Sequence, residues 1–252
     1  MAAAAAIAAA GEALRIRAAD DRGLTELGWL HSRHTFSFGG YVDPAHMGFR
    51  SLRVINDDVV EPGFGFDLHG HRDMEIISVV LEGALQHHDS LGHTSTLRAG
   101  EIQVMSAGRG IRHSETNASR DERVHFLQVW IMPAAQGLEP RWRQEPLPQL
   151  AGDAFVTVVQ GVATPAPAAG APGEPLTIHQ QADILMARPS PGQRCRWAPP
   201  TGRAGWLHVA TGAVDAGGTR LRAGDAAAFE PGEAIECAGA DSSSLLILFS
   251  VA

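Results

Sequence analysis

The chain runs to 252 residues, 44% hydrophobic and 19% charged, with 28 Gly and 15 Pro, which suits one large or two modest globular domains. Its formal charge of −8 argues against phosphate-backbone binding as the main task, since that needs a basic stripe. No apolar run reaches the roughly 18–20 residues of a spanning helix, so neither a membrane nor direct nucleic-acid contact is expected.

Only Cys195 and Cys237 offer sulfur chemistry. Two cysteines in this length make no disulfide scaffold, and a reduced, cytoplasmic setting is expected. The opening MAAAAAIAAA resembles the core of a secretion signal, yet the first basic residue is Arg15. Residues 1–12 therefore read as a disordered Ala-rich tail rather than a cleaved leader.

From residue 14 to 60 the pattern is of short strands and turns. Leu14–Arg17 and Thr35–Phe38 alternate, and Ser51–Ile55 follows, ending at Asn56-Asp57-Asp58. His31 and His34 read as hydrogen-bonding histidines of a surface or rim. Phe36, Phe38, Phe64 and Phe66 read as core aromatics rather than pocket lining. Strand signals are densest between 61 and 132. Ile76–Leu81 is an apolar run, Glu82-Gly83 a turn and Ala84–Asp89 the returning strand. Ile102–Met105 follows the turn at Arg98–Glu101, and Ala107–Gly110 turns the chain into a strand carrying His113 and Glu115. Val124–Met132 closes the unit with a long apolar strand. Residues 133–150 look irregular, Phe155–Gln160 is a strand, and 161–175 is a loop without core formers. Ile184–Ala187, Trp206–Val209, Ala226–Phe229 and Leu245–Val251 form a second β-rich unit. Many short strands at this spacing indicate a sandwich or barrel.

Two spacings carry the chemistry. His69-x-His71 and His113-x-Glu115 each put two donors on one face of a strand, because side chains two apart point the same way. If those strands face each other across a small barrel, three imidazoles and a carboxylate converge as a metal site. Nitrogen and oxygen donors without thiolate suit Fe, Mn, Ni, Cu, Co or Zn. His87 and His88 are adjacent, so at most one points inward, and both read as non-ligands. His125 reads as a satisfied core histidine.

The second unit echoes the first. Thr96–Glu101 recurs as Thr219–Asp225, Glu82-Gly83-Ala84 as Thr211-Gly212-Ala213, and the eight-residue step from Gly100 to Gly108 recurs from Gly224 to Gly232. Carried across those offsets, His69 and His71 fall on Ala198 and Pro200, and His113 and Glu115 on Cys237 and Gly239. No ligand type survives, so one metal per chain is expected.

Gly63-x5-His69-x-His71-x3-Glu75 resembles the first cupin motif. Gly100-x7-Gly108 with His113-x3-Asn117 resembles the second, with two extra residues before the histidine. More specifically, GWLHSRHTFSFGGYVDP at 28–44, GFRSLRVINDD at 48–58 and MSAGRGIRHSETN at 105–117 resemble the pirin family, strongly from about Leu14 to Gln144 and more weakly beyond. The resemblance implies an all-β bicupin of two tandem jelly-roll (double-stranded β-helix) barrels: 13–145 binding metal, and 146–252 lacking the ligands. It implies one divalent ion per chain, Fe(II) ahead of Mn, Ni, Cu, Co or Zn, held by His69, His71, His113 and Glu115. Glu75, where other cupins place their glutamate ligand, is then not a ligand.

Two functions follow from the resemblance. One is a quercetinase-type dioxygenase cleaving a flavonol-like aromatic substrate with O₂, with Glu115 as catalytic base. The other is a non-enzymatic metal-binding pirin with a protein partner, acting as an interaction or redox-sensing regulator.

Overall fold

The computed structural model describes residues 14–162 and 174–252; the tail expected over residues 1–12 and most of the 161–175 loop lie outside the described residues. The chain enters through β1 (Arg15–Arg17), β2 (Gly23–Glu26), β3 (Leu30–His34) and β4 (Leu52–Val60). It continues through β5 (Gly65–His71), β6 (Glu75–Glu82), β7 (Ala84–Asp89), β8 (Thr94–Arg98), β9 (Glu101–Ser106), β10 (Ile111–Asn117), β11 (Val124–Ile131) and β12 (Arg141–Pro146). Then come β13 (Val156–Gly161), β14 (Leu176–Ile178), β15 (Ala182–Ala187), β16 (Arg194–Trp197), β17 (Ala204–Thr211) and β18 (Ala213–Ala216). The last are β19 (Thr219–Arg222), β20 (Ala226–Phe229), β21 (Ile235–Gly239) and β22 (Leu245–Val251). No helix among the described residues is long and apolar enough to cross a membrane.

Two compact units result, and their division is not the single cut near residue 145 that the sequence suggests. Among the described residues, one unit comprises Arg22–Leu147 with 161–162 and 174–181; the other comprises 14–21, Pro148–Gln160 and Ala182–Ala252. The N-terminal strand joins the second unit because β1 pairs antiparallel with β20, with Ile16 opposite Ala227.

The first unit is a two-sheet jelly roll, with strand order β12-β9-β6-β11-β4-β3-β2 in one sheet and β5-β10-β7-β8 in the other. The second unit repeats the first six places of that order, with β1-β20-β17-β22-β15-β13 in one sheet, and the full order of the smaller sheet as β16-β21-β18-β19. The bicupin architecture expected from the sequence is therefore present.

Three local expectations change. Thr35–Phe38 is not a strand: β3 ends at His34, and the chain turns through Gly39, whose φ of 55° suits a residue without Cβ. β4 does not stop at Asn56-Asp57-Asp58 but runs on to Val60, with Asn56, Asp58 and Val60 all buried. The stretch taken as irregular contains β12, paired with β9. Its residues are mostly half-buried, as befits a sheet edge, so the sequence lacks an apolar run there.

The interiors of the two units differ in a way that decides where chemistry can occur. In the first, inward positions along β6 read Ile76, Ser78, Val80 and along β11 read Trp130, Gln128, Phe126. The outer members fall in two separate apolar clusters. Between them lies a belt of buried polar side chains: Ser78, His87, Gln103, His113, Glu115 and Gln128. In the second unit, Leu207 is flanked by Ala227 and Leu248, as Ser78 is flanked by Gln103 and Gln128. All three belong to one apolar cluster. A polar belt in one barrel is filled with hydrocarbon in the other.

Candidate metal centre

β5 and β10 run antiparallel, placing His113 opposite His69 and Ile111 opposite His71. The period of two then brings all three imidazoles to the same side. Their ring nitrogens lie within 4.8 Å of one another. His71 Nε2 is 2.9 Å from His113 Nε2, which is 3.1 Å from His69 Nε2. Two imidazole nitrogens about 2.0–2.1 Å from one ion sit roughly 2.9 Å apart at a right angle and roughly 3.4 Å apart at a tetrahedral one. Both observed spacings are short enough for the nitrogens to share one ion.

Protonation agrees with that use. His69 Nδ1 lies 2.7 Å from the Asp67 carbonyl, which can only accept, so Nδ1 carries the proton and Nε2 keeps its lone pair. Burial, reinforced by the neighbouring histidines, pushes His113 down to about 2. Burial and His69 push His71 down to about 4. Trp130 meets the His71 ring edge-on with centroids 5.0 Å apart. His71 and His113 are therefore neutral at pH 7, as a metal requires.

Glu115 sits differently. Between His113 and Glu115 the pairing with β5 slips, so that Glu115 faces Phe66. Its carboxylate groups with His113 and His87 rather than with His69 and His71. Gln128 Nε2 donates to Oε2 at 2.6 Å, and the Ser78 hydroxyl lies 3.2 Å from Oε1. Burial pushes its pKa up to about 7 despite those hydrogen bonds. Glu75 is elsewhere, accepting a hydrogen bond from Ser106.

The three histidines and Glu115 line a cavity of about 240 Å³. Leu30, Phe38, Phe66 and Trp130 supply apolar wall, so two of the four phenylalanines expected in the core are lining; Phe36 is buried and Phe64 is exposed against Trp29. The polar wall includes Thr25, His34, Asn56 and Asp58. His34 is no surface histidine: it is buried, 2.8 Å from both Thr25 Oγ1 and Asn56 Oδ1. His31 is exposed to solvent and pairs with Glu26. Burial lifts Asp58 to about 7. His125 is half-buried on Asp57, 2.6 Å away. Of the adjacent pair, His87 is fully buried and His88 faces out.

Sequence reasoning missed Asn56 and Asp58, taken as a strand end, and Ser78, Gln103 and Gln128, each a lone polar residue in an apolar run. Polar residues at inward positions of otherwise apolar strands are the signal that marks them. Strand register also corrects the carry-over: the second-unit equivalents of His69 and His71 are Cys195 and Trp197, since Cys195 pairs with Cys237 as His69 pairs with His113.

Residues 16–131 match the Pirin family model, and residues 162–250 match the model described as Quercetinase C-terminal cupin domain. The chain is 41% identical to quercetin 2,3-dioxygenase of Escherichia coli strain K12 over 94% of this chain and 97% of that one. It is 38% identical to a pirin-like protein of Caulobacter vibrioides over 91% and 96%. Its fold superposes on the crystal structure of the bacterial pirin YhhW from Escherichia coli in complex with nickel(II), with a TM-score of 0.85 and 40% identity over 95% of this chain and 99% of that one. Matching models in both barrels and end-to-end relatives lead to one conclusion: the chain belongs to the pirin family.

Proposed function

We propose that the chain is a metal-dependent dioxygenase of the quercetinase type, taking a flavonol-like aromatic substrate and O₂. The observation that carries it is the convergence of three ε-nitrogens on the wall of a cavity with aromatic sides. Its curated relatives named quercetin 2,3-dioxygenase support it.

His69, His71 and His113 would hold one divalent ion, with Glu115 as fourth donor after a turn of its side chain. We take Fe(II) as the resident metal; nickel(II), with which a structural neighbour forms a complex, also suits nitrogen and oxygen donors. Bound there, a divalent ion supplies Lewis acidity toward a substrate oxygen and the means of engaging O₂. The protein contributes the rest. Glu115, as an ionised carboxylate beside the ion, would take the proton from a flavonol hydroxyl. Gln128 and Ser78 fix its orientation. Phe38, Phe66 and Trp130 pack on aromatic rings and exclude water, while Asn56 and Asp58 offer hydrogen bonds to substrate hydroxyls. A cytoplasmic, reducing setting belongs to the same proposal, because two cysteines make no disulfide framework.

Oxygen uptake with quercetin tests it, using protein loaded separately with Fe, Mn, Ni, Cu and Co. Quercetin-dependent uptake with at least one metal, lost in His113→Ala, is expected. No turnover with any of them removes the enzyme and leaves the metal-binding regulator.

A further inference from the structure

Beside His113, and outside the lining of the cavity, lies a group that the metal site does not use. Asp89 is buried and accepts four hydrogen bonds: from the Leu91 and His93 backbone amides, from His93 Nδ1 at 3.0 Å and from His87 Nε2 at 3.0 Å. A carboxylate surrounded by donors obliges His87 to present Nε2–H to it, so His87 Nδ1 carries a lone pair. That atom is buried and has no partner among the described residues. The Nδ1 atom of His113 is likewise buried and unpartnered. If His113 offers its Nε2 lone pair to a metal, its Nδ1 must carry the proton. An acceptor without a donor therefore neighbours a donor without an acceptor. The two rings have centroids 5.4 Å apart, and His87, His113 and Glu115 group with ring nitrogen and oxygen atoms within 4.8 Å.

Trp142 fixes the arrangement. It stacks on His87 at 5.4 Å and 20°, and on His93 at 4.9 Å and 25°, clamping both partners of Asp89. All four residues come from strands or turns of the same unit. Buried polar atoms are rarely left unmet; neither Nδ1 has a direct partner within hydrogen-bond reach among the described residues, and two complementary atoms on neighbouring rings can be met across one bridging water.

We infer that His87 is a positioning residue for the metal centre: it receives the Nδ1–H of His113 across one bridging water and connects that ligand to the carboxylate of Asp89. This step rests on His69, His71 and His113 being the ligands. The chain Asp89–His87–His113 would lock the tautomer and ring plane of His113 and make its Nε2 a stronger donor. It extends the usual carboxylate–histidine–metal arrangement by one imidazole.

Cobalt(II) binding tests it, read both as affinity by chelator competition and as the visible ligand-field spectrum. His87→Asn places an amide oxygen near the position of Nδ1 and keeps the acceptor for His113. His87→Gln reaches toward Asp89 and leaves His113 without one. His87→Phe keeps the stacking on Trp142 and removes both nitrogens. Loss of such an outer partner typically costs about 10–100-fold in metal affinity. A weakening of that size with an altered cobalt spectrum is expected for His87→Gln and His87→Phe, with His87→Asn recovering most of it. If the phenylalanine variant fails to fold, the Asn and Gln pair decides. Wild-type affinity and spectrum in both would overturn the role of His87 while leaving the metal site standing. Failure of the wild-type protein to take up cobalt would instead remove the ligand set and His87 with it.

Discussion

Glu115 is the residue on which pH should act most visibly. In the metal-free protein burial holds its pKa at about 7, while His113 at about 2 and His71 at about 4 stay neutral over the same range. An ion ligated by Glu115 must therefore displace a proton below pH 7 but not above it. Between pH 7 and pH 5 metal affinity should fall by about tenfold per unit, the slope of one competing proton. Above pH 7 this dependence should vanish. Glu115→Gln has no such proton, so its affinity should be lower at neutral pH and flat across that window. Chelator competition at several pH values measures both. The same slope in the variant would show that the carboxyl is not the group losing the proton.

At the scale of elements, the site is a property of the β5–β10 pair. Gly65 lies where β5 passes close against β10: a Cβ there would stand 2.4 Å from Thr116 Cα and 2.5 Å from the Glu115 carbonyl oxygen, both backbone atoms that cannot swing aside. Gly65→Ala should push the strands apart, destabilise the protein by about 1–3 kcal/mol, and weaken metal binding without touching a ligand. Thermal melting and metal titration of the variant check this; wild-type behaviour in both would mean that the strands tolerate separation. Much of the pair was legible in the sequence, because HxH and HxE with a strand period of two need no tertiary information. The support around it was not. Ser78, Gln103 and Gln128 come from three different strands, and only register brings them to one belt. His34 depends on a sheet edge formed with β2, and β12 on pairing with β9. The second-unit equivalents of the histidines were misplaced because fixed offsets cannot follow hairpins of different length; the pairing of Cys195 with Cys237 can.

At the scale of the molecule, one strand order serves two purposes. The first barrel interrupts its core with polar side chains and gains a site; the second closes that gap with Leu207, Ala227 and Leu248 and gains a continuous apolar interior. Leu207→Ala should therefore cost about 2–5 kcal/mol, the range for deleting a buried leucine, yet leave metal content unchanged. Denaturant unfolding and metal analysis of one preparation would show this, and a loss of metal would mean that the second barrel takes part in holding it. The most direct measurement is elemental analysis of the wild-type protein and His113→Ala, each loaded with Fe(II) under anaerobic conditions and then desalted. One ion per chain in the wild type and none in the variant is the predicted result. Equal metal in the two proteins, or none in either, would contradict a centre built on the three converging histidines.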